Sequence, residues 1–165
     1  MTRAKGPTYE VVYRRRREGK TNYRKRLALI KSGKPRMVVR RSNRNVTVQF
    51  VEFQPKGDNT KVTVTGKHLQ KLFGWPSKRN VWTAYLAGLY AGKLAQKGGV
   101  NDFVLDMGMY VSTKGNIVFA ALKGAVEAGL KSSMDEGVVP SEKLSNLPEA
   151  LKQQFEDAKN KIMKG

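Results

Sequence analysis

Cysteine is absent from the 165 residues, which removes disulfide frameworks, thiolate zinc sites and thiol nucleophiles together. Histidine occurs once, at His68, with no second histidine to complete a metal pair or a catalytic triad. Carboxylates are scarce, 13 Asp and Glu against 32 Lys and Arg, and too scattered to announce the convergent acids of a two-metal nuclease. Asp102 and Asp106 would share one face of a regular strand, yet no further acid follows until Glu127. A magnesium-dependent nuclease using Asp106 and a neighbouring acid is therefore kept only as the rival reading. Gly88-Leu-Tyr-Ala-Gly92-Lys93-Leu94 fails as a phosphate loop: its glycines stand one residue too close, and Leu94 occupies the place of the magnesium-binding hydroxyl. No run of about 18 apolar residues occurs, and the first 30 residues hold no apolar stretch of signal-peptide length. A soluble, intracellular chain with no membrane partner is expected.

What the sequence has in excess is positive charge, +19 in all. Its position says more than its size. Residues 1–45 hold 16 basic and 2 acidic side chains, and eleven of the twelve arginines precede Asn45. A merely solvated face mixes signs and favours Lys and Glu, whereas this leader is almost free of carboxylates and runs Arg14, Arg15, Arg16, Arg17 in succession. Arginine is the planar, bidentate reader of phosphate, so the partner should be a polyanion. Tyr9, Tyr13 and Tyr23 are interleaved and offer flat faces to unstacked bases, which favours RNA. A membrane-binding segment would need an apolar face, and Arg14 to Arg26 has none. With so little apolar content the leader should order on its partner. Its root, Tyr23 to Lys31, is expected to make one or two helical turns against the body through Leu27 and Ile30.

After the break at Ser32-Gly33-Lys34-Pro35, Arg36–Arg41 and Val46–Phe53 read as strands joined by a four-residue turn, Ser42-Asn43-Arg44-Asn45. A second turn at 55–59 leads to a third strand, Lys61–Thr65, completing an antiparallel meander. Asn80 should cap a helix running to Lys97 and stopped by Gly98-Gly99. Phe103 to Gly108 reads as a buried strand and Ile117 to Leu130 as a second helix rich in small residues. The fold class expected is α/β, a mixed sheet of meander plus one further strand packed with helices. It divides into a basic arm (1–31), a body (32–130), and a polar linker with a last helix (131–165) striped by Leu151, Phe155, Ala158 and Ile162. Trp75, in a Gly-Trp-Pro loop, suits a base-stacking platform and a core lid equally; for Trp82, inside a helix, the core is favoured.

The runs Tyr13-Arg-Arg-Arg-Arg-Glu-Gly-Lys-Thr-Asn-Tyr23 and Leu29-Ile-Lys-Ser-Gly-Lys-Pro-Arg-Met-Val-Val-Arg-Arg-Ser-Asn-Arg-Asn-Val46 are followed by Gly57-Asp58, Ala84-Tyr-Leu-Ala-Gly-Leu-Tyr-Ala-Gly92, Val104-Leu-Asp-Met-Gly108 and Phe119-Ala-Ala-Leu-Lys-Gly-Ala-Val-Glu-Ala-Gly129. In that order, over residues 6 to about 130, they resemble the archaeal and eukaryotic branch of large-subunit ribosomal protein L-eighteen. The resemblance implies a structural, non-enzymatic protein of the cytoplasmic ribosome that binds 5S rRNA and joins it to 23S rRNA in the central protuberance, with ribosomal protein L-five as a neighbour and no cofactor. It places RNA contacts on the leader and the first hairpin. The candidate residues are Tyr13, Arg14, Arg15, Arg16, Arg17, Lys20, Thr21, Tyr23, Arg24, Lys25 and Arg26, then Arg36, Arg40, Arg41, Ser42, Asn43, Arg44 and Asn45, with Gln49 in the next strand. Asn43, Asn45 and Gln49 carry paired amide donors and acceptors suited to base edges. Two positions depart from the family pattern: Asn22, where Asp is frequent, and Arg44-Asn45, where Lys-His is frequent. A general duplex-DNA binder is the second rival.

Overall fold

The computed structural model describes residues 6–132 and 136–164, so expectations for residues 1–5 of the leader and 133–135 of the linker lie outside it. In chain order its elements are α1 (Arg14–Arg17), α2 (Tyr23–Lys31), β1 (Arg36–Arg41), β2 (Val46–Glu52), β3 (Asn59–Thr65), α3 (Gly66–Phe73), α4 (Val81–Lys97), β4 (Val104–Asp106), α5 (Ile117–Glu127), α6 (Ser141–Ser145) and α7 (Glu149–Lys164). The sheet order is β3-β2-β1-β4, with an antiparallel meander and β4 added parallel to β1. The α/β architecture expected above is the one observed.

Period-two alternation decides which face is covered. Met37, Val39, Val46, Val48, Phe50 and Val64 are fully buried beneath the helices. The opposite face carries Arg36, Val38 and Arg40 of β1 and Gln49 and Val51 of β2, and lines an open cleft instead of a helix layer. Antiparallel sheets commonly leave one face bare in this way. Here that bare face is where the leader returns.

α4 is the central helix, buried from Thr83 to Leu89 and packed against β2, β3, α5 and α7. Asn80 caps it, accepting a hydrogen bond from the Thr83 N–H at 2.6 Å, as its residue type predicts. α4 and α5 approach so closely that a Cβ at Gly88 would lie 2.0 Å from the Ala121 carbonyl oxygen, and one at Gly124 2.1 Å from that of Tyr85. The small-residue stripes are therefore a packing device. α7 buries Ala158 and Ile162, and its Phe155 ring lies 5.9 Å from Trp75 and 5.6 Å from Tyr85.

Several boundaries differ from expectation, as does β4, which is confined to Val104–Asp106, and the short helices α1, α3 and α6 were not expected. β2 ends at Glu52, β3 begins at Asn59, and α5 stops at Glu127 ahead of Gly129, whose φ is +104°. The linker contains a 3-10 turn (Glu136–Val138) and α6. α3 went unpredicted; Thr65 caps it, accepting from the His68 N–H while His68 Nδ1 accepts from the Thr65 N–H. That reciprocal cap is the role of the lone histidine. Trp75 is 1 % exposed and donates from Nε1 to Thr83 Oγ1 at 2.8 Å, so it belongs to the core and offers no face for stacking. Trp82 is half-buried against the core, as favoured.

Candidate nucleic-acid interface

The arm's root is built from short-range chemistry. Asn22 accepts from the Lys25 N–H at 3.0 Å and caps α2, a service that Asp performs equally well. Upstream, α1 is a single exposed turn without a side-chain cap. Arg15 Nε donates to Thr21 Oγ1 at 2.8 Å, and the Tyr13 and Tyr23 rings meet at 5.2 Å, so the arginine turn folds back toward the start of α2. Glu18 lies among these cations, and the Lys20 hydrogen bond holds its carboxyl below the usual range.

α2 buries no residue fully, so apolar packing alone does not hold it. One ion pair joins it to a chain of alternating charges on the sheet. Arg26 Nη2 and Arg36 Nη2 both donate to Asp58 Oδ2, at 2.8 and 2.5 Å. Arg36 Nη1 then donates to Asp106 Oδ2 at 3.0 Å, and Arg40 Nη2 to Asp106 Oδ1 at 3.0 Å. The register explains the second half: Asp106 pairs with Val38, placing its carboxylate on the bare face between Arg36 and Arg40. Arg40 Nη1 also donates to the Asp106 carbonyl at 2.8 Å. Gly108, with φ +65°, turns the chain away so closely that a Cβ there would lie 2.9 Å from Arg40 Cζ.

Burial pushes the Asp106 carboxyl up, but the Arg40 charge and hydrogen bond, the Gly108 N–H and the Arg36 charge outweigh it and hold the group below its ordinary value. The stability this adds is fully present above the unfolded carboxylate's pKa, about 3.9, and is lost as pH falls through the lowered folded value. Asp106→Asn should cost about 2 kcal/mol at neutral pH, less than the ~3–5 kcal/mol of a stripped buried pair because the amide keeps an acceptor. Urea unfolding at pH 7 and pH 3.5 checks this: the gap between wild type and variant should narrow at the acid end, and a constant gap would contradict the assignment.

Between α2 and the bare sheet face lies a cleft of about 550 Å³. Of the sequence-predicted residues, Arg15, Lys20, Thr21, Lys25, Arg26, Arg36, Arg40 and Gln49 line it. Tyr13, Arg14, Arg16, Arg17 and Arg24 stand exposed beside it on the arm, and Tyr23 is half-buried. Arg41, Ser42, Asn43 and Arg44 are exposed at the hairpin tip. There the Ser42 hydroxyl accepts from the Asn45 N–H at 3.0 Å and holds the turn. Arg36 sits apart from the others. It is 4 % exposed and its guanidinium is committed to two aspartates, so it supports the surface from below. Asn45 turns inward, with Oδ1 buried near Gly66, and Gln49 Nε2 donates to Thr63 Oγ1 at 3.1 Å. Asn43 is the amide left open.

Sequence reasoning missed four residues that shape this surface. Asp58 and Asp106 bind the arginines; Tyr110 accepts from the Arg41 N–H, donates to its carbonyl at 2.6 Å, and has the Arg41 guanidinium 5.1 Å above its ring. Arg79 donates to the Asn43 carbonyl at 3.2 Å. Asp106 in particular is no metal ligand: both its oxygens already accept hydrogen bonds from cations or the Gly108 N–H. Asp102 pairs with Lys34 at 2.8 Å, and among the described residues no three acids or histidines converge. The nuclease rival lacks a site there.

Residues 7–103, which span the arm, the meander, α3 and α4, match the family described as "Ribosomal large subunit proteins 60S L5, and 50S L18". The chain belongs to this family. The large ribosomal subunit protein uL18 of Korarchaeum cryptofilum is 47% identical over 140 residues, 84% of this chain and 71% of that protein. Its counterpart from Aeropyrum pernix is 45% identical over 157 residues, 91% of this chain and 73% of that protein. Family membership carries a structural, non-enzymatic role in the large subunit of the cytoplasmic ribosome. The matched span holds most of the cleft lining and Asp58, but ends just short of Asp106.

Proposed function

We propose that the chain binds 5S rRNA and attaches it to 23S rRNA in the central protuberance of the large subunit, beside a protein of the L-five type. The observation that carries this reading is the docking of the arm's root over the bare sheet face, which gathers Arg15, Lys20, Lys25 and Arg40 around one open cleft. Phosphate contacts there fix position, and base contacts at the hairpin supply choice of sequence. If about eight arm and hairpin cations meet phosphates, log affinity for 5S rRNA should fall with log salt at a slope of roughly −6, taking ~0.7 per contact. A slope shallower than about −2 would take the arm out of the mechanism. Arg14→Ala should weaken every RNA alike, whereas Asn43→Ala, at the one open amide, should weaken the cognate RNA selectively. Excess duplex DNA at physiological salt should leave the 5S complex intact, since backbone attraction alone gives no specificity ratio; displacement would favour the general DNA binder.

A further inference from the structure

A second block of positive charge lies outside the cleft. Between Asp58 and Asp102 no acidic residue occurs, and that stretch holds six lysines, Arg79 and His68. The fold draws part of it to one junction. The Val46 N–H donates to the Lys78 carbonyl at 3.1 Å, and a Cβ at Gly66 would lie 2.2 Å from that same oxygen and 2.8 Å from Asn45 Oδ1. The hairpin, the start of α3 and the loop before α4 therefore meet at one point, where Arg79 also holds the Asn43 carbonyl. Around it Arg44, Lys67, Lys78 and Arg79 are exposed, with Lys71 one turn along α3 on the face of Lys67. None of these five forms an ion pair with a described carboxylate, whereas Lys61 on the adjacent strand does, with Glu52 at 3.2 Å. None of them lines the arm cleft. α3 packs on α4 and β3, on the helix-covered side of the sheet, while α2 lies against the bare side.

We propose that Lys67, Lys71, Lys78 and Arg79 form a second, sequence-independent contact for an RNA backbone, distinct from the segment held at the arm cleft, so that the first hairpin, with Arg44 at its tip, stands between two RNA segments. The proposal rests on the reading that the cleft holds RNA. A protein partner fits the surface poorly: lysine is depleted at protein interfaces, whose centres are apolar, and the exposed Leu72 here stands alone. Mobile point charges without local counter-ions suit phosphates, each neutralised phosphate releasing counter-ions as it binds.

The test uses the full chain and the triple substitution Lys67→Ala, Lys71→Ala and Lys78→Ala, which spares the Arg79 bond to the hairpin. Protein saturated with 5S rRNA is titrated at low salt with a labelled RNA duplex of unrelated sequence, about 20 base pairs long. The variant should keep 5S affinity within twofold and the wild-type melting temperature, yet bind the duplex at least tenfold more weakly, with a salt slope shallower by about 2. Unchanged duplex binding would make the patch an ordinary solvated face. An equal loss for 5S rRNA would make it one continuous interface with the cleft. Either result overturns the proposal, as does a wild-type complex that takes no duplex at all. If the wild type fails to hold 5S rRNA in the first place, the reading of the cleft falls instead.

Discussion

A chain that begins at Ser32 should hold 5S rRNA at least ~100-fold more weakly than the intact protein, because it loses eleven of 32 cations and, with them, most of the counter-ion release. Charge alone would predict this, so a companion variant separates charge from geometry. Asp58→Asn removes a negative charge from a +19 protein, and electrostatics by itself would make RNA binding tighter. Asp58 is, however, the carboxylate that ties Arg26 of the arm to Arg36 of the sheet. Freed from it, the arm must be ordered at the moment of binding, and that ordering opposes association. Affinity should fall about fivefold in the intact chain and not at all in the chain starting at Ser32. Filter-binding titrations of the four proteins give the coupling directly. Tighter binding by the intact Asp58→Asn protein would mean that the arm acts as loose charge and that the relay has no part in aiming it.

The second large effect concerns the body. Gly88→Ala should lower stability by about 3 kcal/mol or more, at the upper end of overpacking costs, because the new Cβ would meet backbone that cannot rotate away. The gain of about 1 kcal/mol in helix propensity is too small to offset it. For a domain of this size the melting temperature should drop by roughly 6–12 °C. The neighbouring glycines grade the effect. At Gly92 the obstacle is the Ala128 methyl group at 2.7 Å, and at Gly98 the Ala95 carbonyl at 3.3 Å, so the losses should run Gly88 > Gly92 > Gly98 by calorimetry. Equal losses at the three positions would mean that the contact with α5 is not what sets them.

The hairpin and α4 were legible in the sequence because their signals are local. Alternating valines flank a Ser-Asn-Arg-Asn turn, and Asn80 and Gly98-Gly99 bracket one helical period. The excess of arginine in the arm was legible because it is a matter of composition, 16 basic against 2 acidic side chains in residues 1–45. α3 escaped notice because its cap depends on His68 and its first residue is Gly66, a poor helix former. The charge relay escaped for a different reason. Arg36 reaches Asp106 across 70 positions and Arg26 reaches Asp58 across 32, and only the register of β4 on β1 brings the first pair together. A clue was nonetheless present: arginines on a strand beside buried valines need counter-charge, and Asp58 and Asp106 stood in the same motifs that carried the family resemblance. Trp75 shows the converse, a loop aromatic whose polar edge was satisfied by a threonine eight residues on.

Because α2 contributes no fully buried side chain while the sheet and α4 contribute many, leader and body answer to different solvents. Concentrated brine screens the ties of the first and, where the salt is a kosmotrope, reinforces the oil-like interior of the second. Ribosome-free protein purified in ammonium sulfate should thus be an intact globule with an unfastened leader, and trypsin would nick it ahead of Ser32 long before the remainder yields.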